Sequence, residues 1–114
     1  MKKIEAVIRK ERFPAVDVSL KRIGIGGLTV YDVRGRGRSK GSTMVVARGT
    51  GMYQEEYLER IKLEIIVKDR DVEKVVESII SNATTDSVGD GKIFVSPIDR
   101  VIDIGSNAED ETAI

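Results

Sequence analysis

Arg60-Ile61-Lys62-Leu63-Glu64-Ile65-Ile66-Val67 decides the fold. Ile61, Leu63, Ile65 and Val67 alternate with Arg60, Lys62, Glu64 and Ile66, the period of a strand with one face buried. Val72, Val75, Val76, Ile79 and Ile80 then mark one face of a helix, with Asp69 or Asp71 at its start and Asn82 as its stop. Lys92-Ile93-Phe94-Val95 reads as the next strand, entered through Val88-Gly89-Asp90-Gly91, and Val101-Ile102-Asp103-Ile104 as a short last one. This half of the chain is strand, helix, strand.

The same order appears upstream. Ile4, Ala6 and Ile8 alternate with Lys3, Glu5 and Arg9, and Pro14 then opens a helix whose apolar positions Val16, Leu20 and Ile23 run to Gly24. Leu28-Thr29-Val30-Tyr31-Asp32-Val33 is β-branched and alternating, a second strand. Two strand-helix-strand halves joined by a loop predict an α+β, ferredoxin-like split βαβ sandwich: a four-stranded antiparallel sheet with both helices on one face. Val7, Tyr31 and Ile66 contribute apolar surface to the other face, and self-association is the simplest cover for it.

A length of 114 residues suits one domain spanning 1–114, and 4% aromatics predict an aliphatic core. Cysteine and histidine are both absent, which removes disulfides, thiolate and imidazole metal sites, and Ser-His or Cys-His catalysis. The expectation is a non-enzyme. No apolar run approaches a membrane span, and Met1-Lys2-Lys3-Ile4-Glu5 meets an acid before any signal-like segment, so a cytoplasmic protein that meets membranes only through a partner is expected. Nineteen Lys and Arg balance nineteen Asp and Glu, leaving no global field to draw nucleic acid. Glu109-Asp110-Glu111 reads as a solvated tail.

Charge is distributed unevenly within that balance. Between Val33 and Gln54 there is no acid, while Arg34, Arg36, Arg38, Lys40 and Arg48 are basic and glycines recur. A loop of this length, about residues 37–56, is generally functional or disordered. In Arg34-Gly35-Arg36-Gly37-Arg38-Ser39-Lys40-Gly41 the glycines free backbone amides for an anion that the cations attract, although no Gly-Lys-Ser/Thr opens a helix as a P-loop requires. The plain alternative is a solvated basic turn. Gly89-Asp90-Gly91-Lys92 has the same chemistry, and its plain alternative is a tight Asp-Gly turn. Lys62 and Glu64 read as solvated strand charges, Tyr53 and Tyr57 as anchors or modification targets, and Arg48 as a guanidinium offered to a partner's pocket.

Taken together, Met1-Lys2-Lys3-Ile4-Glu5-Ala6-Val7-Ile8-Arg9, Gly27-Leu28-Thr29-Val30, the turn Gly35-x-Gly37-Arg38-x-Lys40-Gly41, Thr85-x-x-x-Gly89-Asp90-Gly91-Lys92-Ile93-Phe94-Val95 and the terminal Ala113-Ile114 resemble the PII nitrogen-regulatory signalling family over nearly the whole chain. The resemblance implies a homotrimer with ATP or ADP in each intersubunit cleft, magnesium accompanying ATP, and 2-oxoglutarate beside it. The long loop becomes the family's T-loop, which docks on an ammonium transporter or a nitrogen-assimilation enzyme. By motif match Thr29, Gly35, Gly37, Arg38, Glu64, Val88, Gly89, Asp90, Gly91 and Lys92 fall on nucleotide positions, and Gly37, Arg38, Ser39, Lys40, Gly41 and Arg60 on 2-oxoglutarate positions. Arg60 stands where the family has lysine. Arg48 matches the transporter-plugging arginine, and Tyr53 the tyrosine that some members have uridylylated, though Gly51 and Met52 depart from that motif.

Two departures bear on the ligands. Asp103 and Gly105 stand where the family has two phosphate-binding arginines, and Ser39 where it has a metal-binding glutamine. Charge-assisted hydrogen bonds contribute about 1.5–3 kcal/mol each, so losing two independent ones weakens nucleotide binding by about two to four decades. A rival class is an RNA-binding module that uses the Arg-Gly loop, disfavoured because the exposed sheet aromatics such readers stack on are lacking.

Overall fold

The computed structural model describes residues 1–37, 43–45, 52–54 and 57–114. Strands β1 (Lys2–Arg9), β2 (Thr29–Gly35), β5 (Leu58–Val67) and β6 (Gly91–Pro97) form one antiparallel sheet in the order β2-β5-β1-β6, with helices α1 (Phe13–Arg22) and α2 (Val72–Ala83) crossing between its halves. This is the α+β ferredoxin-like arrangement. Two short strands of the long loop, β3 (Thr43–Val45) and β4 (Met52–Gln54), pair with each other as a separate ribbon.

The alternation in β1 and β5 sets the layering. Ile4, Ala6 and Ile8 lie on the same sheet face as Ile61, Leu63, Ile65 and Val67, and Val16, Leu20, Val75, Ile79 and Ala83 of the two helices close over them. Because side chains alternate with a period of two, one register fixes both faces. The helices also meet through a hydroxyl pair, Ser19 Oγ to Ser78 Oγ at 2.5 Å, that satisfies the buried Ser78.

On the opposite face the centre is ionic. Lys3 Nζ reaches Glu5 at 2.7 Å, and Lys62 Nζ reaches Glu5 at 3.5 Å and Glu64 at 3.2 Å, each side chain only 24–31% exposed. Hydrogen bonding to Glu5 raises the Lys3 pKa and hydrogen bonding to Glu64 raises that of Lys62, while the bond from Lys3 lowers Glu5. Val7 and Ile66 are half-buried around this grid and Tyr31 is exposed beside it.

Three expectations change. Val101–Ile104 is not a strand: Ile102 makes an isolated bridge to Glu109, because Asp103 closes a turn by accepting from Ser106 N at 2.8 Å and Ser106 Oγ at 2.9 Å. Those bonds lower the Asp103 pKa, the backbone one foremost. At α2, Asp71 occupies the N-cap position without a capping side-chain bond and pairs instead with Lys74 at 3.2 Å, while Asp69 holds the Met1 ammonium at 2.9 Å. Ile80 points outward and the helix runs through Asn82 to Ala83. Among the described residues no helix is long and apolar enough to cross a membrane.

Candidate functional site

Antiparallel pairing sets Arg9 of β1 directly opposite Arg60 of β5. Cross-strand partners share a face, so two guanidiniums stand side by side, an unfavourable arrangement unless both find acceptors. Both turn to the same segment. Arg9 Nε donates to Asp90 Oδ1 at 2.9 Å and its Nη2 to Val88 O at 3.1 Å, while Arg60 Nη2 approaches Gly89 O at 3.5 Å and its Nη1 donates to Glu59 O at 2.9 Å. Lys92, exposed at the start of β6, has no ion-pair partner among the described residues. Two guanidiniums thus meet at the Val88–Gly91 turn, whose carboxylate, Asp90, is taken by Arg9, and Lys92 follows the turn directly in sequence.

Asp90 is the centre of that turn. Its Oδ2 accepts from Thr85 N at 2.7 Å, Thr84 Oγ1 at 3.3 Å and Ser87 N at 3.4 Å, and its Oδ1 accepts from Arg9 and from the Thr85 hydroxyl. The Thr85 bonds, side chain then backbone, hold its carboxyl well below the usual range, with Arg9 adding to the effect. Gly89 at φ 93° and Gly91 at φ 124° bend the chain around it. At Gly91 a second demand applies: a Cβ would stand 1.9 Å from Val7 O, so β6 comes this close to β1 only as glycine. The Asp-Gly pair is therefore not a hairpin turn, since it joins α2 to β6.

Two depressions flank the turn. An apolar groove of about 410 Å³ between α2 and β6 is lined by Val76, Ile79, Ile80, Ile93 and Val95 and ends at Asp90, Gly91 and Lys92. A polar one of about 300 Å³ lies at the root of the long loop among Lys10, Asp32, Arg34, Glu59 and Arg60. Arg36 lies over the Tyr57 ring, 5.7 Å from its centroid, where the two arms of the loop leave the sheet.

The remaining sequence candidates separate. Val88 is 79% exposed at the crest of the turn. Gly35 ends β2 opposite Leu58, and a Cβ at Gly37 would meet nothing within 4 Å among the described residues. Thr29 pairs with Glu64, whose carboxylate is occupied by Lys62 and, at 3.3 Å, by the Tyr31 hydroxyl. Thr29 and Lys92 occupy opposite edge strands with β5 and β1 between them, roughly 14 Å at ordinary strand spacing. One subunit does not bring them together. Tyr53 lies in β4, paired with Met44. Arg38, Ser39, Lys40, Gly41 and Arg48 lie outside the described residues. Sequence reasoning gave no site role to Arg9, Thr84, Thr85 and Ser87, although Arg9 and Thr85 stood in the quoted motifs; the cue was Arg9 at the strand end that faces Arg60, which needed the register to be seen.

The described residues thus form a ferredoxin-like sheet that carries a glycine turn flanked by cations. Comparison with known proteins names the family. The model of the family described as nitrogen regulatory protein P-II matches residues 1–107. The nitrogen regulatory protein P-II of Synechocystis sp. is 45% identical over 114 residues, that of Pasteurella multocida 46%, and nitrogen regulatory protein P-II 1 of Escherichia coli 44%, each alignment covering 100% of both chains. The chain belongs to the nitrogen regulatory protein P-II family, and it is a signal-transduction protein that works through partner proteins, not an enzyme.

Proposed function

We propose that the chain, as a homotrimer, binds ATP or ADP together with 2-oxoglutarate and reports them through its T-loop, about residues 37–56, to an ammonium transporter or a nitrogen-assimilation enzyme. The observation that carries this reading is the meeting of Arg9 and Arg60 at the Val88–Gly91 turn, with exposed Lys92 next to it in sequence. Anions with several oxygens are the ligands that such a cluster favours. Arg60 also donates to Glu59 O at the root of the loop, so an anion that draws on this guanidinium acts where the loop leaves the sheet. The separation of Thr29 and Glu64 from Lys92 across the sheet supports a nucleotide cleft shared between copies, one copy presenting each edge.

The cationic part of the site fits a nucleotide phosphate and the apolar groove beside it fits a base. Lys92 and Arg60 would hold the phosphate and carboxylate oxygens. Magnesium would enter with the triphosphate, whose oxygens are ligands of the kind it takes. The test is calorimetric titration with ATP, ADP and AMP alongside light scattering. The expected results are a trimer, ATP or ADP binding, and a loss of about tenfold or more in Lys92→Ala. A monomer at micromolar concentration, or no heat with any nucleotide, overturns the corresponding part.

A further inference from the structure

We propose that Asp90 is a positioning residue and not a ligand contact: its carboxylate, pinned to β1 by Arg9, shapes the Thr84–Lys92 turn before any effector arrives. The inference rests on the nucleotide reading for its consequence, but its geometry stands alone. A carboxylate offers about four lone-pair sites. Asp90 already accepts from Arg9 Nε, Thr84 Oγ1, Thr85 N, Thr85 Oγ1 and Ser87 N, so neither a ribose hydroxyl nor a metal ion reaches it without dismantling the turn.

The same bonds settle what the turn presents. Thr85 N and Ser87 N point inward to Asp90 and are spent as anion donors. Thr84 N is bonded to Ile80 O at 3.1 Å, so the turn starts from the fixed end of α2. Arg9 grips it twice, at Asp90 Oδ1 and at Val88 O, and the side chains of Arg9 and Asp90 are only 23% and 21% exposed. Arg9 and Asp90 thereby neutralise each other, leaving Arg60 and Lys92 as the cations an anionic effector meets. A turn that is already ordered needs no ordering on binding, which favours affinity.

Amide exchange followed by NMR on the ligand-free protein, combined with ADP titration, tests this in wild type, Asp90→Asn, Arg9→Lys and the double variant. The Thr85 and Ser87 amides are expected to be protected in wild type and to exchange about tenfold faster or more in Asp90→Asn, whose amide nitrogen would face N–H donors; ADP affinity is expected to fall by about tenfold or more. Arg9→Lys, which keeps the charge but not the double grip, should show smaller changes in both readouts. The double variant should bind no worse than Asp90→Asn, because both act through one turn. Unchanged exchange with lost ADP binding would make Asp90 a ligand contact and overturn the proposal, as would faster exchange with unchanged affinity. If Asp90→Asn does not fold, Arg9→Lys carries the same comparison, and unchanged exchange there overturns it. A wild type that binds no nucleotide overturns the nucleotide reading instead, and the exchange arm still decides whether Asp90 shapes the turn.

Discussion

Gly91→Ala should be among the most damaging single substitutions in this chain, although it removes no contact. Gly91 sits at φ 124°, where a side chain is strained, and a Cβ there would meet Val7 O at 1.9 Å, Val7 C at 3.0 Å and Ile8 Cα at 3.3 Å. All three are backbone atoms of β1, so no rotamer change relieves the clash. Either the start of β6 lifts from β1, breaking the Ile8–Gly91 pairing, or the strands separate further along. Backbone strain of this kind costs about 1–3 kcal/mol, and the lost pairing brings the total to roughly 3 kcal/mol or more. For a chain of 114 residues that corresponds to a fall of about 12 °C in Tm. Thermal unfolding followed by circular dichroism at one fixed protein concentration measures it, with Gly37→Ala, whose Cβ would meet nothing within 4 Å among the described residues, as the control. Gly91→Ala melting within a degree or two of wild type would refute the steric account of this glycine.

Leu63→Ala, at a fully buried position of β5, should lose about 2–5 kcal/mol in denaturant unfolding. Because the Asp90 pKa is lowered below its ordinary 3.8, the stability it contributes is fully present above about pH 4 and is lost as pH falls through the folded value; Asp90→Asn should flatten that part of an acid-unfolding profile. Asp103→Arg with Gly105→Arg should strengthen ATP binding by about tenfold or more in calorimetry, since a Cβ at Gly105 meets only Asp103 Oδ1 at 3.6 Å and the new arginines restore charge-assisted donors. Arg48→Ala should abolish capture by an ammonium transporter in a membrane pull-down while leaving nucleotide binding unchanged.

The sheet was legible because β1 and β5 are buried on one face only, so alternation survives in the sequence as Ile4, Ala6, Ile8 and Ile61, Leu63, Ile65. Val101–Ile104 looked similar but Ile104 is 97% exposed, and the nearby hydroxyl and amide of Ser106 captured Asp103. Local side-chain bonding of that kind competes with a strand and leaves no periodic trace. At the start of α2 Asp71 stands at the N-cap position, while Asp69 found the Met1 ammonium, a partner 68 positions away in sequence. At the candidate site the glycines and Lys92 were visible as a pattern, and Arg60 as a cation near a loop. Arg9 was not, because a basic residue at the end of an alternating strand reads as solvated until the register places its partner, 81 residues away, beside it.

If the cations beside the Val88–Gly91 turn serve an anionic effector, Asp103 and Gly105 in place of arginines should shift its use. Titration of 2-oxoglutarate into nucleotide-free protein, repeated with saturating ATP, tests it most directly. Measurable 2-oxoglutarate binding without ATP, dependent on Arg60, is expected, with only a modest gain when ATP is added. Tight ATP binding by the unmodified protein, with no 2-oxoglutarate binding until ATP is present, would contradict it.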